Sequence, residues 1–108
     1  MASTVTAVGT AYTFDAAAGA VPNNLTISQA SANEITFDDS LDAIAGALPA
    51  GCVQVVTTVT CTAGGPVTVV TANLGDGDNL ATSTDVGVPA GSASTVVMNG
   101  GTGTDNLT

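Results

Sequence analysis

The side chains of this sequence that could do chemistry carry oxygen. Asp15, Glu34, Asp38, Asp39, Asp42, Asp76, Asp78, Asp85 and Asp105 supply nine carboxylates, and there is no Lys, Arg or His to pair with them. Carboxylates that folding brings together in such a chain must repel, protonate or take a cation from outside. Two stretches place them among alternating glycines: Gly100-Gly101-Thr102-Gly103-Thr104-Asp105-Asn106-Leu107-Thr108 and Leu74-Gly75-Asp76-Gly77-Asp78-Asn79-Leu80-Ala81-Thr82. Glycine reaches positive φ cheaply, so alternating glycines can bend the chain tightly and turn backbone carbonyls inward. An Asp after the bend adds charged oxygen. A lining of carbonyl and carboxylate oxygens suits a hard ion such as calcium, which takes roughly six to eight of them. An EF-hand is excluded. Counted from Asp76, the positions needing a ligand, a glycine and a closing Glu would be Leu80, Ala81 and Gly87.

The same inventory removes other chemistries. Nucleic-acid binding and attraction to anionic lipid both depend on Lys and Arg. Zinc prefers Cys and His, and this chain has two Cys and no His. A Ser-His-Asp or Cys-His nucleophile cannot be assembled. Paired carboxylates could hydrolyse glycosides, but two Phe, one Tyr and no Trp leave no aromatic walls for a sugar cleft. The expectation is a protein that is not an enzyme, binds no nucleic acid and does not insert in membranes. No apolar run approaches a transmembrane length. The first residues, Met1 to Phe14, lack the basic start and long apolar stretch of a secretory signal.

The elements that must position the glycine stretches read as strands. Thr, Ser, Gly and Val dominate, which favours strands and turns, and the expected class is all-β. Residues 1–22 are Ala-, Thr- and Gly-rich with weak periodicity, and read as a leader or edge strand. Residues 23–66 form an N-terminal β segment, and 67–108 form one domain with it. Leu25 and Ile27 alternate with Thr26 and Ser28, and Ile35 and Phe37 with Glu34 and Thr36, as half-buried strands do. Leu41, Ile44, Ala45 and Leu48 have helical spacing, but Gly46 and Pro49 favour a loop with at most one helical turn. Asp38, Asp39 and Asp42 then read as a cap and solvated face rather than a metal site. Val/Thr strands follow over 53–60 and 67–72, then a loop over 82–94 and a strand over 95–98. Cys52 and Cys61 suggest a disulfide and an oxidising compartment, with two buried thiols as the alternative. A bond requires the chain to reverse near Val56 to Thr58, where no Gly, Pro, Asn or Asp marks a turn. Asn24-Leu25-Thr26 and Asn106-Leu107-Thr108 match the glycosylation pattern.

The two glycine stretches repeat. Aligned on glycines they are 26 residues apart, and aligned on Asp-Asn-Leu they are 27 apart. Each follows a Val-rich strand and an Asn: Val69-Val70 with Asn73, and Val96-Val97 with Asn99. Gly100 to Thr108 fits G-G-x-G-x-D-x-U-x at every fixed position, and so resembles the calcium-binding repeat of secreted bacterial RTX (hemolysin-type) proteins. The upstream copy departs at Leu74, Asn79 and Ala81. Over residues 34–108 the order of Ala50-Gly51-Cys52, Val59-Thr60-Cys61 and Leu74 to Asp78 resembles the region leading into the β-roll of that family, where a cysteine pair precedes the first turn.

The resemblance implies short strands leading into a right-handed parallel β-roll or β-solenoid, an extracellular or cell-surface location, and Ca2+ held between successive turns. Carried over, the ligands are Gly75, Asp76, Gly77, Asp78, Asn79, Gly101, Gly103 and Asp105. Asp105 comes first and Asp76 last, and Leu80, Val96, Val97 and Leu107 fill the interior. Partners would be calcium ions and neighbouring repeats or parent domains beyond Thr108. Two other classes stay open: a metal-independent structural or adhesive surface β-domain, and a non-catalytic segment of a larger secreted hydrolase or toxin.

Overall fold

Period-two burial runs through most of the strands, because one face of each looks into a shared core. The computed structural model describes residues 3–17, 22–41, 44 and 46–108. Its described residues form strands, turns and loops without a helix. The strands are β1 (Thr4–Val8), β2 (Ala11–Asp15), β3 (Asn24–Ser28), β4 (Glu34–Asp39), β5 (Cys52–Val55), β6 (Thr58–Thr62), β7 (Val69–Asn73), β8 (Leu80–Thr84), β9 (Thr95–Asn99) and β10 (Asn106–Leu107). They make two mixed sheets, one ordered β1-β2-β7-β9 and the other β10-β8-β3-β4-β6-β5. The class is all-β, as the composition predicts.

Val5, Tyr12, Phe14, Val70 and Ala72 of the first sheet meet Leu25, Ile27, Ile35, Phe37, Val59, Cys61 and Ala81 of the second. Phe14 stacks on Phe37 with ring centroids 6.3 Å apart. The stretch read as a leader or edge strand supplies the edge strand β1 and places two of the three aromatic residues in the core. Its weak periodicity reflects the small residues around them.

Antiparallel and parallel pairings are segregated. The hairpins β1–β2, β3–β4 and β5–β6 are antiparallel, as is the β4–β6 pair. β2, β7 and β9 are parallel, and so are β3, β8 and β10. The chain passes from the first sheet to the second after β2, after β7 and after β9, and the last two of these passages lie side by side. The pairings Val70↔Val96, Asn73↔Asn99, Leu80↔Asn106 and Ala81↔Leu107 all keep the offset given by aligning the glycines.

At the other end of the parallel strands the buried Gln29 ties the return loop. Its amide donates to Ala32 O at 3.2 Å and Ser94 Oγ at 3.1 Å, and its Oε1 accepts from Gly87 N at 2.8 Å.

Several expectations change. Residues 82–84 belong to strand β8, so only 85–94 form the loop. Leu80 is 40% exposed and Val97 45% exposed, whereas Ala81 and Leu74 are fully buried. Val96 and Leu107 do pack against the core. The phase is set by β3: Ala81 lies between Leu25 and Leu107, a small side chain between two large ones, and Leu80 must face out. The helical spacing at 41–48 does not yield a helical turn at the described positions. Leu41 is exposed, and Ile44 is buried in a parallel bridge to Ser3. Residues 42, 43 and 45, Asp42 included, lie outside the described set.

Cys52 and Cys61 face each other across β5 and β6 and are disulfide-bonded, with Cα atoms 3.9 Å apart. The chain reverses through Val56 and Thr57. Val56 takes φ 55, a conformation that a β-branched residue strongly disfavours.

Candidate cation site at the stacked glycine turns

β7 ends at Asn73 and β8 begins at Leu80, so the passage between sheets is the turn Leu74 to Asn79. β9 and β10 place the turn Gly100 to Asp105 directly on it. Backbone bonds seal the two ends. Leu74 N donates to Asn99 O at 2.9 Å, and Asn106 N donates to Asn79 O at 2.8 Å. Gly75 and Gly77 have φ +67° and +100°, and Gly101 and Gly103 have +74° and +102°, so the two turns share one backbone course.

Gly101 and Gly103 are required twice over. Beyond the positive φ, the carbonyls of turn 74–79 occupy the space that a side chain on turn 100–105 would need. A Cβ on Gly101 would strike the Gly75 carbonyl, and one on Gly103 the Gly77 carbonyl, with the carbonyl carbons at 2.7 and 2.8 Å. A Cβ on Gly100 would lie 2.6 Å from Asp105 Oδ2.

Side chains bridge the turns as well. Thr102 Oγ1 donates to Asp76 Oδ1 at 2.6 Å, and Thr104 N donates to Asp78 Oδ1 at 2.9 Å. Asp76 and Asp78 are both exposed. Asp105, half-buried, accepts at Oδ1 from Asn79 N at 3.2 Å and from Asn79 Nδ2 at 2.8 Å.

Asn79 is buried at the centre. Besides Asp105, its Nδ2 approaches Gly77 O at 3.1 Å, Gly75 O at 3.3 Å and Gly100 O at 3.4 Å. Its Oδ1 accepts from Asn23 N at 3.1 Å and Asn23 Nδ2 at 2.9 Å. Three residues thus occupy one column, Asn23 before β3, Asn79 before β8 and Asp105 before β10. A second column closes the other side of the turns: Asn99 Nδ2 donates to Asn73 Oδ1 at 2.8 Å, and Asn73 Nδ2 donates to Asp15 Oδ1 at 2.9 Å.

All eight residues expected to ligate an ion therefore lie in the two adjoining turns. The oxygens between the turns are of the kind calcium accepts, three carbonyls and a carboxylate. The interface itself does not fit an ion, because the Asn79 amide nitrogen stands among them. The Asn79 oxygen expected to serve as a ligand is engaged by Asn23. Among the described residues, no three His, Cys, Asp or Glu side chains gather closely enough to hold a metal.

The acidic run at 38–42 is split. Neighbours in a strand face opposite ways, so Asp38 accepts from Thr57 Oγ1 at 2.8 Å and Thr58 Oγ1 at 3.2 Å, while Asp39 is buried. Asp39 Oδ1 accepts from Asn24 N and Leu41 N, both at 3.1 Å. Asp38 and Asp39 therefore do not form the solvated face expected of them.

Asn23 is the residue that pattern reading missed. Its signal is present: Asn23-Asn24-Leu25-Thr26 and Asp105-Asn106-Leu107-Thr108 are copies of one tetrapeptide that stand in equivalent positions on β3 and β10.

No family model, curated protein or solved structure matches the chain. No helix among the described residues is long and apolar enough to cross a membrane. The disulfide is compatible with an oxidising, extracellular setting.

Proposed function

We propose that this chain is a secreted structural segment of RTX type, in which glycine turns of a right-handed parallel β-roll order around calcium, and that it is not an enzyme. The observation that supports this best is the stacking of turn 100–105 on turn 74–79, carbonyl against glycine α-carbon, at one constant offset.

The inner interface is closed by an amide, so calcium belongs on the outer side of turn 100–105. There Asp105 holds the position that Asn79 holds one turn earlier, with oxygens in place of the amino group. Both donors to Asp105 use Oδ1. Asp105, with the carbonyls of Gly101 and Gly103, would hold the ion, and a further turn or water would complete the shell. Asp76 and Asp78 add negative charge at the exposed rim, while Gly75, Gly77 and Asn79 support the platform.

Calcium would supply the positive charge that the chain lacks, and an ion that binds only the ordered form stabilises it by mass action. Extracellular modules of this kind bind at about 10⁻⁴–10⁻³ M.

Calorimetric and circular-dichroism titration with calcium, with magnesium as control, tests the proposal. Uptake in that range, weakened at least about tenfold by Asp105→Ala, is the expected result, in line with the roughly 1.5–3 kcal/mol of contacts to a charged group. An unchanged response in Asp105→Ala, or tight micromolar binding at Asp38 and Asp39, refutes it. The Asn79 amide favours a second reading, a metal-independent structural or adhesive β-domain. Full order in chelator with no calcium response would establish that one instead.

A further inference from the structure

We infer that the Asn79 carboxamide is a built-in substitute for a cation between turns 74–79 and 100–105, and that residue 79 decides whether this interface takes an ion. The inference deepens the calcium reading above, because it concerns the same pair of turns.

The argument starts from what surrounds each end of the side chain. Oδ1 faces donors, the backbone N–H and the amide of Asn23. Nδ2 faces only acceptors: Gly75 O, Gly77 O, Gly100 O and Asp105 Oδ1, at 2.8–3.4 Å. Exchanging the two ends would set oxygen against four oxygens, so the donor orientation is the only satisfied one. An amino group has two N–H bonds, and four acceptors exceed what it can fully satisfy. The cluster therefore gathers four oxygens round one nitrogen, part of the shell a cation would take.

The partial positive charge of the amino group does here what a metal would do. It draws the two carbonyls of one turn, the carbonyl of the next and the Asp105 carboxylate to one point. The lower side is settled in the same way, since Asn23 presents donors to Asn79 Oδ1. Along the column Asn23, Asn79, Asp105 each amide donates toward turn 100–105, and the column ends on a carboxylate. The negative charge that meets this interface belongs to Asp105, and the two Asn79 donors offset part of it at Oδ1. The interface between turns 74–79 and 100–105 closes without metal and forms a fixed platform.

Three proteins test this: the wild type, Asn79→Asp and Asn79→Ala. Two readouts are taken in chelator and in millimolar calcium, the number of ions bound by calorimetry and the exchange rates of the Asn106 and Thr108 amides. Those amides bond to Asn79 O and Ala81 O across the interface, so they report its closure. In chelator, Asn79→Asp sets a carboxylate against oxygens, and both amides should exchange roughly tenfold faster or more, as for loss of a charge-assisted hydrogen bond. Calcium should restore protection, with one more ion bound than by the wild type. Asn79→Ala should lose protection in both conditions and gain no ion.

The inference is overturned if Asn79→Asp keeps wild-type protection in chelator, or binds no additional ion, or stays open in calcium. It is overturned equally if Asn79→Ala keeps wild-type protection. Failure of the calcium reading is separate: it shows as no ion bound by the wild type, whatever Asn79→Asp does.

Discussion

Replacing Gly101 by Ala tests the contact on which the stacked turns depend, and the size of the effect can be built from its parts. The left-handed φ of +74° costs an alanine roughly 1–2 kcal/mol. The added Cβ also meets the Gly75 carbonyl, with the carbonyl carbon at 2.7 Å. That group is backbone in a hydrogen-bonded turn and cannot swing aside as a side chain would. Forcing atoms into such a contact costs a further 1–3 kcal/mol or so. The sum is about 3 kcal/mol, or roughly a hundredfold in the opening equilibrium.

Two other glycines separate the terms. Gly9 has φ +60° and open space, so Gly9→Ala should cost only the conformational part. Gly64 has open space and no positive φ, so Gly64→Ala should stay within about 0.5 kcal/mol.

The assay is amide exchange at Asn106 and Thr108 for Gly101→Ala, and urea unfolding for the two controls. β10 is two residues long, so turn 100–105 can peel away without unfolding the core. Protection should therefore fall about a hundredfold, or to the free-chain rate if peeling costs less, while β3 and β4 stay protected. A loss under about fivefold would mean that the Gly75 carbonyl does not press on Gly101, and the stacking argument would fail.

Three further outcomes can be checked by equilibrium unfolding. Val56→Gly relieves a β-branched residue at φ 55 on an exposed hairpin turn and should raise stability by about 1 kcal/mol; a loss would contradict the strain. Reducing Cys52–Cys61 frees a short loop and should lower stability by about 2.5–3 kcal/mol in the chain-entropy account; no change in the denaturation midpoint would contradict it. Leu80→Ser should be tolerated within about 0.5–1 kcal/mol, while Ala81→Leu overpacks a buried site and should cost about 1–3 kcal/mol. The reverse order would put β8 in the opposite phase.

Local chemistry made much of this protein legible. The alternation of Leu25 with Ile27 and of Ile35 with Phe37 marks β3 and β4, because a half-buried strand must point every second side chain at the core. The glycines at 75, 77, 101 and 103 mark two turns of equal geometry, because only residues without a Cβ take those φ values cheaply. The total lack of basic side chains follows from composition alone, and with it the need for any cation to come from outside.

What the tertiary structure decided is which atoms meet. Spacings of 26 and 27 were equally readable. Pairing of β8 against β3 and β10 selects the first, and so buries Ala81 and exposes Leu80. Nothing local to Asn79 says that its amide nitrogen faces four oxygens, since three of them come from residues 75, 100 and 105 and its own oxygen is held by Asn23, which lies 56 positions away. A side chain with a donor at one end and an acceptor at the other has no fixed role until its neighbours are placed, and those neighbours arrive only when parallel strands far apart in the chain align.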